Sequence, residues 1–92
     1  MKVRVFGTLR AVMGGTKEIE LPVGNQSTVL KVLGELVTAY PGLKEKLFRE
    51  GETLQGGVTV VVNGRSVRFL DGLNTPIRET DELALFPPIG GG

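Results

Sequence analysis

Apolar and polar residues alternate in two short segments near the start of the chain, residues 2–6 and 17–21. In the first segment two valines share one face, and Phe6 lies on the opposite face. A period of two residues is typical of a strand with one buried face. The two segments therefore predict an N-terminal β-hairpin, with residues 9–13 as the loop between its strands.

Helical periodicity replaces this alternation between residues 28 and 40. The apolar side chains there form a single stripe: Val29, Val32, Leu33, Leu36, Val37 and Tyr40. Ser27 or Thr28 is suited to cap the start of such a helix, and Pro41-Gly42 ends it. Residues 43–48 predict a second, shorter helical turn.

The second half of the chain returns to strand-like segments. Residues 51–57 are polar and predict a loop, and residues 58–62 are rich in β-branched side chains, which favour strands. Asn63-Gly64 is a hairpin-turn dipeptide and leads into a second strand over residues 66–69. Residues 83–86 predict the last strand.

The resulting order is β-β-α-β-β-β. A hairpin followed by one helix that crosses over to later strands is the β-grasp (ubiquitin-like) arrangement. The sequence therefore predicts a two-layer α+β fold, in which a mixed sheet packs on one main helix.

Only one face of such a sheet is covered by the helix. Strand alternation turns six residues toward the helix: Val3, Val5, Val60, Val62, Leu83 and Leu85. The same alternation turns Phe6, Val61 and Phe86 outward, where clustered apolar side chains indicate a surface for a partner. The alternative is that Phe6 or Phe86 wraps over a sheet edge into the core, because a shift of one residue in register reverses the orientation.

Composition narrows the functions that this chain can have. Its 92 residues carry a net charge of +1 and include no cysteine and no histidine, so the commonest nucleophile–base pairs and metal ligands are missing. We expect no bound metal and no enzyme activity from the chain alone. The balanced charge argues against nucleic acid as a partner, and no apolar run is long enough for a membrane span. We therefore expect a cytoplasmic protein.

The C-terminus is the most informative segment for function. The last residues are Phe86, Pro87, Pro88, Ile89, Gly90, Gly91 and Gly92. Prolines fix φ and stiffen the exit from the last strand, whereas glycines form a thin segment that can enter a narrow channel. We therefore predict a β-grasp domain over residues 1–88 and a flexible glycine tail over residues 89–92, ending in a carboxylate on which chemistry can act. The alternative is a frayed tail without a role.

The sequence also resembles a known family, the MoaD-like ubiquitin-like sulfur carriers, which are small subunits of molybdopterin synthase. The matching segments are Val3-Arg-Val-Phe-Gly-Thr-Leu-Arg10, Val62-Asn-Gly64, Leu70-Asp-Gly-Leu-Asn-Thr75, Thr80-Asp-Glu-Leu83 and Phe86-Pro-Pro-Ile-Gly-Gly-Gly92. The Phe-Pro-Pro ending is specific to the MoaD branch, since ubiquitin and ThiS share only the fold and the terminal Gly-Gly. The chain departs from the family pattern at Thr80 and Gly90, outside that terminal pair.

This resemblance implies that partner enzymes act on the chain, which does not itself catalyse the reaction. An E1-like adenylating enzyme similar to MoeB or ThiF would activate Gly92 with ATP and Mg²⁺, and a sulfur donor would convert the adenylate to a thiocarboxylate. Gly91 would give access to the activating channel. A MoaE-like large subunit of molybdopterin synthase would then receive the sulfur. The residues implied to contact these partners are Phe6, Val61, Phe86, Pro87, Pro88, Ile89 and Gly90, and the chain itself would bind no cofactor.

Two other functions fit the same residues. Relatives of MoaD in archaea are also attached through their terminal glycine to lysines of target proteins, which uses the same activated carboxylate with a different nucleophile. A β-grasp interaction domain whose glycine tail does not react is the third possibility.

Overall fold

The strands of the computed structural model, which describes residues 1–88, form one five-stranded mixed sheet and two small two-stranded ladders. The strands are β1 (Lys2–Val5), β2 (Glu18–Glu20), β3 (Ser27–Thr28), β4 (Phe48–Glu50), β5 (Thr53–Leu54), β6 (Thr59–Val62), β7 (Arg65–Ser66), β8 (Pro76–Ile77) and β9 (Glu82–Phe86). The main sheet has the order β2-β1-β9-β6-β7, and β3-β8 and β4-β5 form the two ladders. The predicted tail, residues 89–92, lies outside the described residues.

The last strand, β9, occupies the centre of the main sheet. It pairs in parallel with β1, where Val5 lies opposite Leu85, and antiparallel with β6, where Thr59 lies opposite Phe86. Because β1 and β9 run in the same direction, their C-terminal ends meet at one end of the sheet. The chain therefore leaves the sheet between two neighbouring strands.

The main helix, α2 (Val29–Ala39), covers one face of this sheet. Thr28 caps it, because the Thr28 hydroxyl oxygen accepts a hydrogen bond from the Lys31 amide at 3.3 Å. The predicted stripe supplies the buried side of the helix through Val29, Val32, Leu33 and Leu36. All six inward-facing strand residues named above are buried and belong to the same hydrophobic core cluster as these helix residues. The β-grasp prediction and the predicted inward faces of the strands are confirmed.

Two predicted loops contain regular structure. Residues Leu9–Val12 form the single-turn helix α1, because burying Leu9 and Met13 draws this segment onto the core. The predicted loop 51–57 includes β5, which pairs with β4. The backbone N–H of Gln55 donates to the Leu47 carbonyl at 2.7 Å and so closes this small hairpin.

The predicted strand over residues 66–69 is wrong in its length. Only Arg65 and Ser66 pair with β6, and Val67–Phe69 form a 3₁₀ turn. The Ser66 hydroxyl oxygen caps this turn by accepting a hydrogen bond from the Arg68 amide, and Val67 turns into the core. The predicted short helix is confirmed as α3 (Leu43–Leu47). None of the helices within residues 1–88 has the length and apolarity that crossing a membrane requires.

An ion pair fixes the start of the chain. The Met1 ammonium donates to Glu79 Oε1 at 2.9 Å and to the Leu21 carbonyl at 2.8 Å, and Glu79 Oε2 accepts from the Val23 amide. The hydrogen bond to Glu79 raises the pKa of the ammonium above its usual 8.0. In turn, the hydrogen bond from the ammonium lowers the pKa of Glu79 below its usual 4.5.

This ion pair predicts a pH-dependent stability. A basic group whose pKa is higher in the folded protein than in the unfolded chain stabilises the fold. This stabilisation is complete at pH values below the pKa of the unfolded chain, and it is lost as the pH rises through the pKa of the folded protein. An acidic group whose pKa is lower in the folded protein stabilises the fold at pH values above the pKa of the unfolded chain. This stabilisation is lost as the pH falls through the pKa of the folded protein. We expect Glu79→Gln to lower Tm most between about pH 5 and 8, and progressively less outside that window. Thermal melts across pH test this, with Glu35→Gln, at an exposed position on α2, as the control. An equal Tm difference at every pH would contradict the assignment.

Candidate functional site

The three outward-facing apolar residues lie together at the end of the sheet where the chain exits. The Phe6 and Phe86 rings stack with their centroids 4.5 Å apart and an angle of 8° between their planes. Val61 lies beside them on β6, and all three side chains are half-buried and outside the core. The prediction that they face outward is therefore confirmed, and the alternative in which a phenylalanine wraps into the core is wrong.

A shallow groove of about 460 Å³ runs along this apolar surface. Its walls are Phe6, Gly7, Thr59, Val61, Phe86, Pro87 and Pro88. We call this set the exit groove. Among the described residues, it contains every predicted partner-contacting side chain, whereas Ile89, Gly90, Gly91 and Gly92 lie outside the part of the chain that the structure describes.

Arg10 supports the aromatic pair. Its guanidinium carbon lies 5.2 Å from the centroid of the Phe6 ring, within the range of a cation–π interaction. The Arg10 Nε–H donates to the Val5 carbonyl at 2.9 Å, which holds the guanidinium in place. Sequence reasoning did not assign this role to Arg10. In the sequence, Arg10 stands out only as the last residue of the segment Val3–Arg10 that matches the family pattern.

The opposite end of the same sheet face is charged. Arg4 donates to Glu18 Oε1 at 3.1 Å, and the Lys2 ammonium lies 3.9 Å from Glu18 and 3.8 Å from Glu82. These neighbouring charges of opposite sign keep this part of the face hydrated. The apolar part of this sheet face is therefore confined to the exit groove, next to Pro87 and Pro88.

Gly7 and Gly57 are further site residues that sequence reasoning missed. Each lies against one of the two prolines, and a Cβ atom at Gly7 would stand 2.7 Å from Pro87 Cγ. The Gly-Gly pair at residues 56–57 predicts a turn. The contact between Gly57 and Pro88 depends on the pairing of β6 with β9, which a turn motif does not predict.

The exit groove has the geometry of a docking surface. The sequence supplies no histidine or cysteine. Within residues 1–88, no group of three or more acidic side chains is arranged to hold a metal ion. What the arrangement offers is an apolar contact area directly beside the point where the chain end leaves the sheet.

Fold and site together define a ubiquitin-like β-grasp protein with a docking groove at its C-terminal exit. The model of the ThiS family matches residues 3–92, and the chain belongs to this family of ubiquitin-like sulfur carriers.

Several relatives and solved structures are similar to this chain along nearly its whole length. Small archaeal modifier protein 3 of Haloferax volcanii is 39% identical over 92 residues, which cover 100% of this chain and 98% of the relative. A chain in the crystal structure of the Amycolatopsis orientalis BexX/CysO complex is 32% identical with a TM-score of 0.85, covering 99% of this chain and 98% of that chain. A Pyrococcus furiosus protein assigned as molybdopterin converting factor subunit 1 is 27% identical with a TM-score of 0.77, covering 96% of this chain and 95% of that chain.

Proposed function

We propose that this sulfur carrier is the small subunit of a molybdopterin synthase and that its reacting atom is the Gly92 carboxyl carbon. The observation that carries the proposal is the position of the exit groove. The stacked Phe6 and Phe86 rings and the two prolines lie at the end of the sheet where β9 ends, and the C-terminal glycines follow shortly after these prolines in the sequence. A partner that docks on the groove thereby receives the chain end.

Activation of Gly92 precedes sulfur transfer in this proposal. A carboxylate resists attack by sulfur because its negative charge is delocalised and its oxygen is a poor leaving group. An E1-like partner similar to MoeB or ThiF would join the carboxylate to the α-phosphorus of Mg-ATP, releasing pyrophosphate. Attack by hydrosulfide on the acyl-adenylate then forms a C–S bond, breaks the bond to AMP and leaves a thiocarboxylate with loss of one proton. ATP and Mg²⁺ are held by the partner in this scheme.

Delivery follows when a MoaE-like large subunit binds the exit groove. The thiocarboxylate sulfur forms a C–S bond to a carbon of a cyclic pterin phosphate precursor, from which an oxygen substituent leaves, and water then hydrolyses the resulting thioester to restore the Gly92 carboxylate. Because each chain supplies one sulfur atom, two such transfers from two thiocarboxylate chains form the dithiolene that holds molybdenum or tungsten. The similarity to the Pyrococcus furiosus protein and the Phe-Pro-Pro ending support this recipient.

Reconstitution tests this function. We expect the thiocarboxylate form of the chain, mixed with a molybdopterin synthase large subunit and the pterin precursor, to yield dithiolene product. The carboxylate form is the matched control and is expected to yield none. No product from the thiocarboxylate form, despite formation of the complex, would contradict the molybdopterin role.

Protein modification is a second candidate function, favoured by the similarity to Small archaeal modifier protein 3. It uses the same adenylated Gly92, with a lysine amine in place of hydrosulfide. The last basic residue of the chain is Arg78, so trypsin would leave residues 79–92 attached to a modified lysine. Peptides carrying that branch, found in the native host, would support modification, and their absence from cells that activate the chain would contradict it.

A further inference from the structure

The two prolines after β9 each rest on a glycine from a different segment. A Cβ atom at Gly7 would lie 2.7 Å from Pro87 Cγ, and one at Gly57 would lie 2.9 Å from Pro88 Cβ. Both distances are well below ordinary carbon–carbon contact. A proline ring is closed onto its own backbone, so it cannot rotate away as the end of a long side chain can. A side chain at either glycine would therefore displace the chain itself.

Strand pairing explains why these glycines meet the prolines. Val5 lies opposite Leu85 in the parallel pair, so the residue two positions after Val5 comes beside Pro87. Thr59 lies opposite Phe86 in the antiparallel pair, so the residue two positions before Thr59 comes beside Pro88. The strands on both sides of β9 thus each provide one glycine, and the exit is bounded from two sides.

Backbone conformation does not by itself account for the prolines' contacts. Gly7 and Gly57 have φ values of +57° and +86°, which favour glycine in any surroundings. Gly72 and Gly15 have the same two φ values, but a Cβ atom there would have nothing within 4 Å. Gly72 is therefore a control for Gly7, and Gly15 is a control for Gly57. Within each pair the φ value is the same, and only the first-described position contacts a proline.

We propose that Gly7 and Gly57 are positioning residues for the C-terminus. By seating Pro87 and Pro88, they set the direction in which the chain leaves the sheet and hence where the terminal carboxylate arrives once the exit groove is docked. This consequence for the reaction rests on the proposed activation of Gly92. A displacement of a reacting group by about 1 Å can cost about a hundredfold in rate.

The exit direction can be measured without any partner. The chain has no cysteine, so Ile89→Cys provides a single attachment point for a nitroxide spin label. We expect paramagnetic broadening of backbone amides to follow the same pattern in the otherwise unchanged chain and in the Gly72→Ala and Gly15→Ala backgrounds. Gly7→Ala and Gly57→Ala are expected to shift that pattern. Identical patterns for Gly7→Ala and Gly72→Ala, and for Gly57→Ala and Gly15→Ala, would overturn the proposal.

The effect on the reaction is measured by ATP-dependent activation with an E1-like adenylating enzyme. Gly7→Ala is expected to lower kcat at least tenfold relative to Gly72→Ala. Gly57, which does not line the exit groove, allows binding to be separated from rate: Gly57→Ala is expected to lower kcat relative to Gly15→Ala with binding to the enzyme changed less than about twofold. The φ values match within each pair, so Gly72→Ala and Gly15→Ala give the loss of Tm that the positive φ alone causes in Gly7→Ala and Gly57→Ala. In a Pro87→Ala background, Gly7→Ala is expected to have no further effect on kcat, because the ring it would displace is gone.

The outcomes separate this proposal from the proposed function. If the unaltered chain is not activated, the activation of Gly92 fails, while the broadening patterns still decide whether the two glycines direct the exit. If the unaltered chain is activated but Gly7→Ala and Gly72→Ala have equal kcat, the positioning proposal fails and the proposed function stands. Additive effects of Gly7→Ala and Pro87→Ala on log kcat would also overturn it.

Discussion

A chain that lacks Gly91 and Gly92 is expected to lose adenylation and sulfur transfer completely. Each extended residue spans up to about 3.5 Å, so the deletion withdraws the terminal carboxylate by about 7 Å from the position that the activating partner has to reach. Gly92→Trp is expected to be almost as damaging, because its side chain would block the narrow channel that a glycine can enter. ATP–pyrophosphate exchange with an E1-like enzyme measures both effects.

The fold provides the control for this deletion. The buried hydrophobic core identified within the described residues extends from Met1 to Leu85, so removal of the last two residues leaves it intact. We expect the Tm of the deletion variant to equal that of the full chain. A truncated chain that still supports synthase activity would rule out a reacting terminus and leave a β-grasp interaction domain as the remaining explanation.

Phe86→Ala and Phe6→Ala are expected to weaken binding to the large subunit or to the adenylating enzyme by about 2 kcal/mol each, which is about thirtyfold in Kd. Both rings are half-buried in the free protein and line the exit groove, where a docked partner would cover them. Each substitution also removes the aromatic stack, which contributes about 1 kcal/mol to stability. A binding titration and a thermal melt on each variant separate the two effects.

Two control variants frame this prediction. Leu85→Ala removes a fully buried core side chain and is expected to cost about 2–5 kcal/mol of folding stability. Phe69→Ala removes a phenylalanine that is 82% exposed in the 3₁₀ turn, and it is expected to change neither stability nor binding. If Phe86→Ala behaves like Leu85→Ala, with a large fall in Tm and unchanged affinity of the folded fraction, the exit groove is not a docking surface.

The parts of the fold that sequence could predict are those with repeated spacing. The stripe of α2 runs through three turns, and the alternation in β1, β6 and β9 repeats often enough to assign each face. That alternation also placed Phe6, Val61 and Phe86 outward, although residues from opposite ends of the chain had to be brought together. The helix α1 and the strand β5 are only four and two residues long, too short to show a period.

The contacts that seat the two prolines could not be predicted in the same way. Gly7 and Pro87 are brought together by the pairing of β1 with β9, which lie at opposite ends of the chain. A glycine after a strand is ordinarily explained by a turn, and the positive φ of Gly7 satisfies that explanation. Only the position of β9 beside β1 shows that the absence of a side chain at Gly7 also makes room for the Pro87 ring.

The most direct test of the central claim is the intact mass of this protein purified from its native host. Conversion of the Gly92 carboxylate to a thiocarboxylate replaces one oxygen by sulfur and predicts a species heavier by about 16 Da. Because the chain has no cysteine, mild alkylation with iodoacetamide is expected to add a single carbamidomethyl group to that species and none to the carboxylate form. A population with the unmodified mass alone, unreactive to alkylation in cells that are making the molybdenum or tungsten cofactor, would contradict the sulfur-carrier mechanism.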